Sequence, residues 1–168
     1  RWVRAGTREA FLKFNDCSPP GMFPAEAAGL QALRGAGGLR VPEPLVWSED
    51  PAFLLMEYLP PGPGEVGAAL GRGLAELHRS GAGGYGFEDG DNFIGTLPQD
   101  NGTEGDWPTF FGERRLRPQL ALAARGGTLD RAEIRAVEQL IGRLPDLLPR
   151  HPHAALLHGD LWGGNYMV

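Results

Sequence analysis

The sequence has very little lysine. Of its 16 basic residues, 15 are arginine and one, Lys13, is lysine. Either side chain can carry a plain surface charge. The scarcity therefore singles out the one position that kept a compact ammonium, which reaches a defined point as a planar guanidinium does not. Cysteine is equally scarce. Cys17 stands alone, which excludes an internal disulfide and suits a reducing, cytoplasmic setting. No apolar run approaches the ~20 residues of a membrane span and no signal peptide opens the chain, so no membrane partner is expected. An excess of positive charge is also missing: the net charge of −5 argues against general nucleic-acid binding. The chain opens on Arg1 without a methionine and closes at Val168 just after a strand-like run, so it reads as part of a longer protein.

What remains is ordinary globular material. A length of 168 residues with 42% hydrophobic side chains suits one domain or two small lobes around a real core. Glycine (26) and proline (15) together make about a quarter of the chain, but they punctuate periodic segments and read as turns. Residues 1–5 and 10–15 alternate and flank the turn "GTRE", which predicts a hairpin. A helix is expected from Pro24, with Ala27, Leu30 and Leu33 on one face and glycines at its end. "VPEPLVW" is extended by its prolines, "AFLLMEYL" (52–59) is a short buried strand, and "PPGPG" is a linker. Residues 65–79 place Val66, Leu70, Leu74 and Leu77 at helical spacing, and a long loop follows from Gly81 to about Asp106. "WPTFFGERRLRPQLALAARGG" is expected to be helical on either side of Pro118. Asp130 with Glu133 forms a capping-box start for a stripe of Ile134, Val137, Leu140, Ile141 and Leu144. "AALLHGDL" reads as a last strand running into a turn. The order is α+β, with a β-rich beginning, a boundary near residues 59–64 and a helical body.

The segment with the clearest chemistry is "LLHGDLWGGN", 156–165. His158, Asp160 and Asn165 follow the spacing of kinase catalytic loops, H-x-D, four residues, then N. A carboxylate there can orient a substrate hydroxyl and accept its proton as a phosphoryl group moves. An amide oxygen one turn later can ligate Mg²⁺ without adding negative charge beside ATP. Asp, Gly and Asn are also turn formers, so a plain turn after a strand is the alternative. A kinase further needs a first-lobe cation held on the ATP phosphates by a helix glutamate. Lys13 and Glu26, placed in the first turn of the expected helix, are the candidates. The alternatives are an exposed strand lysine and an acid that favours the helix dipole. Backbone groups around Glu57, Tyr58 and Leu59 would meet adenine, unless "LLMEYL" is simply a buried strand.

Several other patterns carry no site. "GAGGYG" (81–86) follows a helix and opens none, so the mechanism of a phosphate loop is missing. "EDGDN" (88–92) lacks EF-hand spacing, and His151 and His153 lack zinc-ligand partners in sequence. Cys17 has no evident base beside it, and His78 fits a packing or capping role. "NGT" (101–103) is a glycosylation sequon only in a secreted protein.

Taken together, "FLKFN", "EAAGLQAL", "VPEPL", "LLMEYL", "LGRGLAELHR", "YGFEDGDNFIGTLPQDN…DWPTFFGERRLRPQL" and "LLHGDLWGGN" occur in an order that resembles the fructosamine kinase (ketosamine-3-kinase) family. One departure is "WGGN" where the resemblance leads us to expect "WSGN". The resemblance implies a two-lobed protein-kinase-like fold related to aminoglycoside phosphotransferases. It places an ATP-binding lobe at 1–59 and a helical lobe with the catalytic loop at 60–168. It implies ATP- and Mg²⁺-dependent phosphorylation of the 3-hydroxyl of a ketosamine, an activity regarded as protein repair by deglycation. By the same resemblance Lys13 holds ATP phosphates, Glu26 holds Lys13, Asp160 is the catalytic base and Asn165 a Mg²⁺ ligand. Trp162 would stack on the sugar unless it is a core tryptophan, and His158, Asp91 and Asn92 would help shape the substrate side. The competing functions are an aminoglycoside- or choline-type phosphotransferase on the same fold, and a pseudokinase-like binding module without chemistry. The Gly-rich loop and a second metal-binding Asp are expected outside residues 1–168.

Overall fold

The structure, a computed structural model, describes residues 1–64 and 67–167. The chain divides into two compact units, Arg1–Ala82 with Ala155–Val168, and Gly83–Ala154. The lobe boundary expected at 59–64 falls inside the first of these.

The first unit is built on a mixed arrangement of helix and antiparallel sheet. Strands β1 (Trp2–Ala5) and β2 (Arg8–Phe14) form the expected hairpin, with Gly6 at φ 63° in a turn tighter than "GTRE". Strands β3 (Pro44–Glu49) and β4 (Ala52–Glu57) complete a sheet of order β1-β2-β4-β3. In the β2–β4 ladder Phe11 faces Met56 and Lys13 faces Leu54. Residues opposite one another in an antiparallel pair share a sheet face. Leu54 is fully buried in the core of Phe23, Ala27, Leu54 and Met56, so Lys13 shares the face covered by helix α1 (Met22–Ala36). That helix begins before Pro24, at Met22, because Phe23 has a place in this core. Glu26 consequently sits in the second turn and not the first. Helix α2 (Gly67–Arg79) buries Leu77 as its spacing predicts; the expected contribution of Val66 lies outside the described residues.

Two expectations fail. Residues 154–161 form no strand: they pair with no neighbouring strand among the described residues, and an apolar run becomes a strand only where a partner supplies its ladder. The loop from Gly81 to Asp106 is not structureless. It contains a small hairpin of β5 (Asn92–Ile94) and β6 (Leu97–Gln99), and a bridge joins Tyr85 to Glu104.

In the second unit, α3 (Trp107–Phe110) runs through a π-helical turn (Phe111–Leu116) into α4 (Arg117–Arg125). The helix does not break at Pro118, which occupies the first turn of α4, where its missing N–H is tolerated. The irregularity falls just before it, where the Arg117 N–H reaches back to the Gly112 carbonyl. The Arg114 carbonyl, four residues before Pro118, accepts instead from Arg115 Nη1 at 3.1 Å. Helix α5 (Arg131–Leu147) starts with the expected capping box of Asp130 and Glu133, and buries Ile141 and Leu144 with Phe110 in the same unit's core. Leu140, expected in the stripe, is 46% exposed. Among the described residues no helix is long and apolar enough to cross a membrane.

Candidate active site

Lys13 and Glu26 meet. Thirteen residues apart in sequence, they are joined by Lys13 Nζ donating to both carboxylate oxygens of Glu26, at 2.8 and 2.7 Å. The strand register turns the lysine toward α1, and the second-turn position lets Glu26 reach it. A second-turn acid gains little from the helix dipole, whose influence falls off within the first turn. Its partner lysine explains it better. The pair is half open to solvent, with side-chain exposures of 51% and 29%, so the ammonium can be reached by an incoming anion.

Residues 158–165 form a compact turn in place of the strand end. The Asn165 amide donates to the Asp160 carbonyl at 2.8 Å and to Asp160 Oδ2 at 2.9 Å, and the Asn165 N–H closes on the Trp162 carbonyl at 2.8 Å. Gly159 at φ 82° permits the approach, and the Asp160 N–H points to His158 Nδ1 at 3.4 Å. His158 therefore braces the main chain at Asp160. Trp162 is 62% exposed and is not a core tryptophan; its ring lies over Gly164, where any Cβ would collide with it. Gly163 has open space around it, so the serine expected there would fit. The Asn165 amide turns its NH2 to Asp160, and the other end of that amide is an oxygen, a hard donor of the kind Mg²⁺ takes. Among the described residues no group of three His, Cys, Asp or Glu side chains converges on a metal position.

Glu57 closes β4. Its N–H is already used by the Glu43 carbonyl at 2.8 Å, so Tyr58 and Leu59, beyond the ladder, are better placed to offer backbone to a base. The Tyr58 ring tilts against Trp2 at 6.3 Å. The Arg40 guanidinium, bonded to the Glu57 carboxylate, holds its pKa below the usual range, helped by the Glu43 N–H and Arg34.

Asp91 and Asn92 belong to the second unit and are engaged within their own loop. Asp91 Oδ1 accepts from the Asn101 N–H at 2.8 Å, and Asn92 Oδ1 from Gln99 Nε2 at 2.8 Å. The organiser of that loop, Asn101, was not legible as one in the sequence. It is 4% exposed and uses every polar atom it has. Its N–H goes to Asp91, its carbonyl accepts from Phe87, its amide donates to Gly90, and its amide oxygen accepts from Arg115 Nη2 at 2.6 Å. Arg115 also lies 4.5 Å over the Phe110 ring, and Arg114 pairs with Asp100 and Glu104. The Gly102 N–H, with Arg114, holds the Asp100 carboxyl below its usual range. The π-helical turn brings these consecutive arginines to bear on one loop. Only the density of charge in "ERRLR" hinted at this.

The chain is similar to known proteins over nearly its whole length. A family model described as fructosamine kinase matches residues 1–168. A probable ketoamine kinase of Synechocystis is 39% identical over 168 residues, covering 95% of this chain and 55% of the relative. A chloroplastic protein-ribulosamine 3-kinase of Arabidopsis thaliana is 42% identical over 163 residues, covering 92% and 49%. A crystal structure from Thermobifida fusca, provisionally named a fructosamine-3-kinase, superposes with a TM-score of 0.81 at 36% identity, covering 94% of this chain and 55% of that one. The chain spans about half the length of the curated relatives it matches.

Proposed function

Because the chain belongs to the fructosamine kinase family, we propose that it carries the phosphate-holding and hydroxyl-activating parts of an ATP-dependent kinase acting on ketosamines. The observation that carries this reading is the two-oxygen ion pair between Lys13 and Glu26. In a two-lobed kinase-like enzyme, with β-rich residues 1–59 and helical residues 60–168 as the lobes, Lys13 binds ATP phosphates while Glu26 fixes its direction. The main chain at Tyr58 and Leu59 meets adenine. Asp160 orients the acceptor 3-hydroxyl and takes up its proton, and the Asn165 amide N–H bonds keep the carboxylate aimed. The Asn165 amide oxygen would hold Mg²⁺, which when bound would neutralise charge on the phosphate oxygens. The exposed Trp162 ring offers an apolar face to the sugar C–H surface. The names of the relatives, ketoamine and ribulosamine kinases, favour a ketosamine acceptor over an aminoglycoside or choline.

The test is ADP release by the full-length protein with Mg-ATP and fructoselysine, for wild type and Asp160→Asn. Turnover that falls by about 10²–10⁴ on the substitution supports both the reaction class and the base. Turnover unaffected by the substitution removes Asp160 from the chemistry. A wild type that is stabilised by ATP yet inert toward ketosamines, aminoglycosides and choline would instead be a nucleotide-holding module.

A further inference from the structure

The end of β4 is held by more than its ladder. Arg40 Nη2 donates to Glu57 Oε1 at 2.6 Å, and the Glu43 N–H reaches Oε2 at 3.3 Å. Arg34, in the last turn of α1, stands 3.7 Å from the same Oε2 and donates to the Val41 carbonyl at 2.7 Å. It is also 3.7 Å from the Glu43 carboxylate. The residue just ahead of Tyr58 and Leu59 is thus gripped by α1 and by the connection that follows it. That connection is itself seated on α2. Gly38, at φ 81°, lies so close that a Cβ there would stand 2.6 Å from the Gly73 carbonyl oxygen and 2.9 Å from Glu76 Cβ.

Stability does not account for these charges. Arg40 is 73% and Glu43 59% exposed, and such pairs contribute only about 0–1 kcal/mol each. What the network does fix is geometry. Helix α1 carries Glu26 in its second turn and Arg34 in its last. The first holds Lys13 on β2, and the second holds the end of β4. One helix therefore positions the phosphate-binding cation near one end and the adenine-facing backbone near the other.

We propose that Arg34, assisted by Arg40, is a positioning residue for nucleotide binding: it locks α1 to the end of β4 and so fixes the Lys13 ammonium relative to the Tyr58–Leu59 main chain. This rests on the reading of those groups as phosphate and adenine contacts. Neither arginine touches the nucleotide; both act through Glu57 and the helix.

The experiment uses the full-length protein as wild type, Arg34→Ala, Arg34→Lys and Arg40→Ala. It measures titration with a non-hydrolysable Mg-ATP analogue, KM for ATP and for fructoselysine, and melting without ligand. Arg34→Ala is expected to weaken nucleotide binding and raise the KM for ATP by about threefold to tenfold, with the acceptor KM nearly unchanged. Arg34→Lys recovers only part, because one ammonium cannot serve Val41 and Glu57 together with Glu43, as the two terminal nitrogens of the guanidinium do. Arg40→Ala removes an exposed side chain without threatening the fold and gives a smaller loss in the same direction. Nucleotide affinity unchanged in both alanine variants overturns the proposal. So does a parallel rise of both KM values that simply follows a lowered melting temperature, with Arg40→Ala silent. A wild type that takes up no nucleotide overturns the underlying reading and the clamp with it, whereas a binding wild type with equally binding variants overturns the clamp alone.

Discussion

Arginine at position 13 would keep the charge, yet we expect it to fail there. The ammonium donates to both oxygens of Glu26 at 2.8 and 2.7 Å and, in the proposed kinase, also offers a donor to phosphate. A longer planar group cannot occupy the same point. Lys13→Arg should weaken nucleotide binding by one charge-assisted contact, about 1.5–3 kcal/mol or roughly ten- to hundredfold, with melting little changed; titration with a nucleotide analogue checks it. The adjacent glycines of the turn at 158–165 should behave oppositely. Gly163→Ser meets open space and should leave activity intact, while Gly164→Ala pushes on the Trp162 ring. That ring is exposed and free to swing away. The expected result is a raised acceptor KM with the ATP KM unchanged, read from steady-state kinetics. At this scale the sequence was legible where a residue type was rare or a spacing was short. Lys13 stood out by its uniqueness, and Asp160 and Asn165 by a local spacing. Arg34 and Arg40 did not, and Glu57 stood out only for its main chain, because exposed charges that meet only through the fold leave no periodic mark.

Among the elements, α5 was the easiest to read, since a capping box lies within four consecutive residues. Asp130 accepts from the Ala132 and Glu133 N–H groups at 2.6 and 2.9 Å, and Glu133 returns the bond to the Asp130 N–H at 2.8 Å. Asp130→Ala should cost about 1 kcal/mol, seen as a lower midpoint in urea with the slope unchanged. Helix α1 was legible in extent but not at its start. Pro24 favours a first turn, but burial of Phe23 draws the helix back to Met22. The strand expected at 154–161 failed because apolarity is local and strand pairing is not. The hairpin β5–β6 escaped notice because each arm has only three residues, too few for alternation to register, and one of them is Pro98. Gly38→Ala is the substitution expected to damage an element contact most. It adds a Cβ against the Gly73 carbonyl and forces a side chain into positive φ. A loss of about 1–3 kcal/mol in chemical denaturation is expected.

For the molecule as a whole, acid is the informative stress. Arg40 lowers the Glu57 pKa, and the Gly102 N–H lowers that of Asp100. Unfolding returns both carboxyls to their usual range, so in acid the unfolded chain binds more protons. Their stabilisation is complete above the ordinary carboxylate pKa and is lost as the pH falls through the lowered folded values. Melting temperature should hold near neutrality and decline below about pH 4, with a shallower decline in Asp100→Asn. The mixed α and β character of the chain and its family were legible from the order of its motifs. The loop network around Asn101 was not, because its bonds join segments that only the fold brings together.

That buried asparagine also bears on how the protein can be made. Asn101-Gly102-Thr103 is an acceptor sequence for oligosaccharide transfer, which modifies chains before they fold. A sugar on the Asn101 amide would replace the bond to Gly90 and force a bulky branch into a side chain 4% exposed. In a secretory host, glycosylation and folding would compete for the same nitrogen, and each glycosylated molecule would be lost to quality control. Thr103 is exposed, so Thr103→Ala would erase the signal without disturbing the loop, and secreted yield should rise with it.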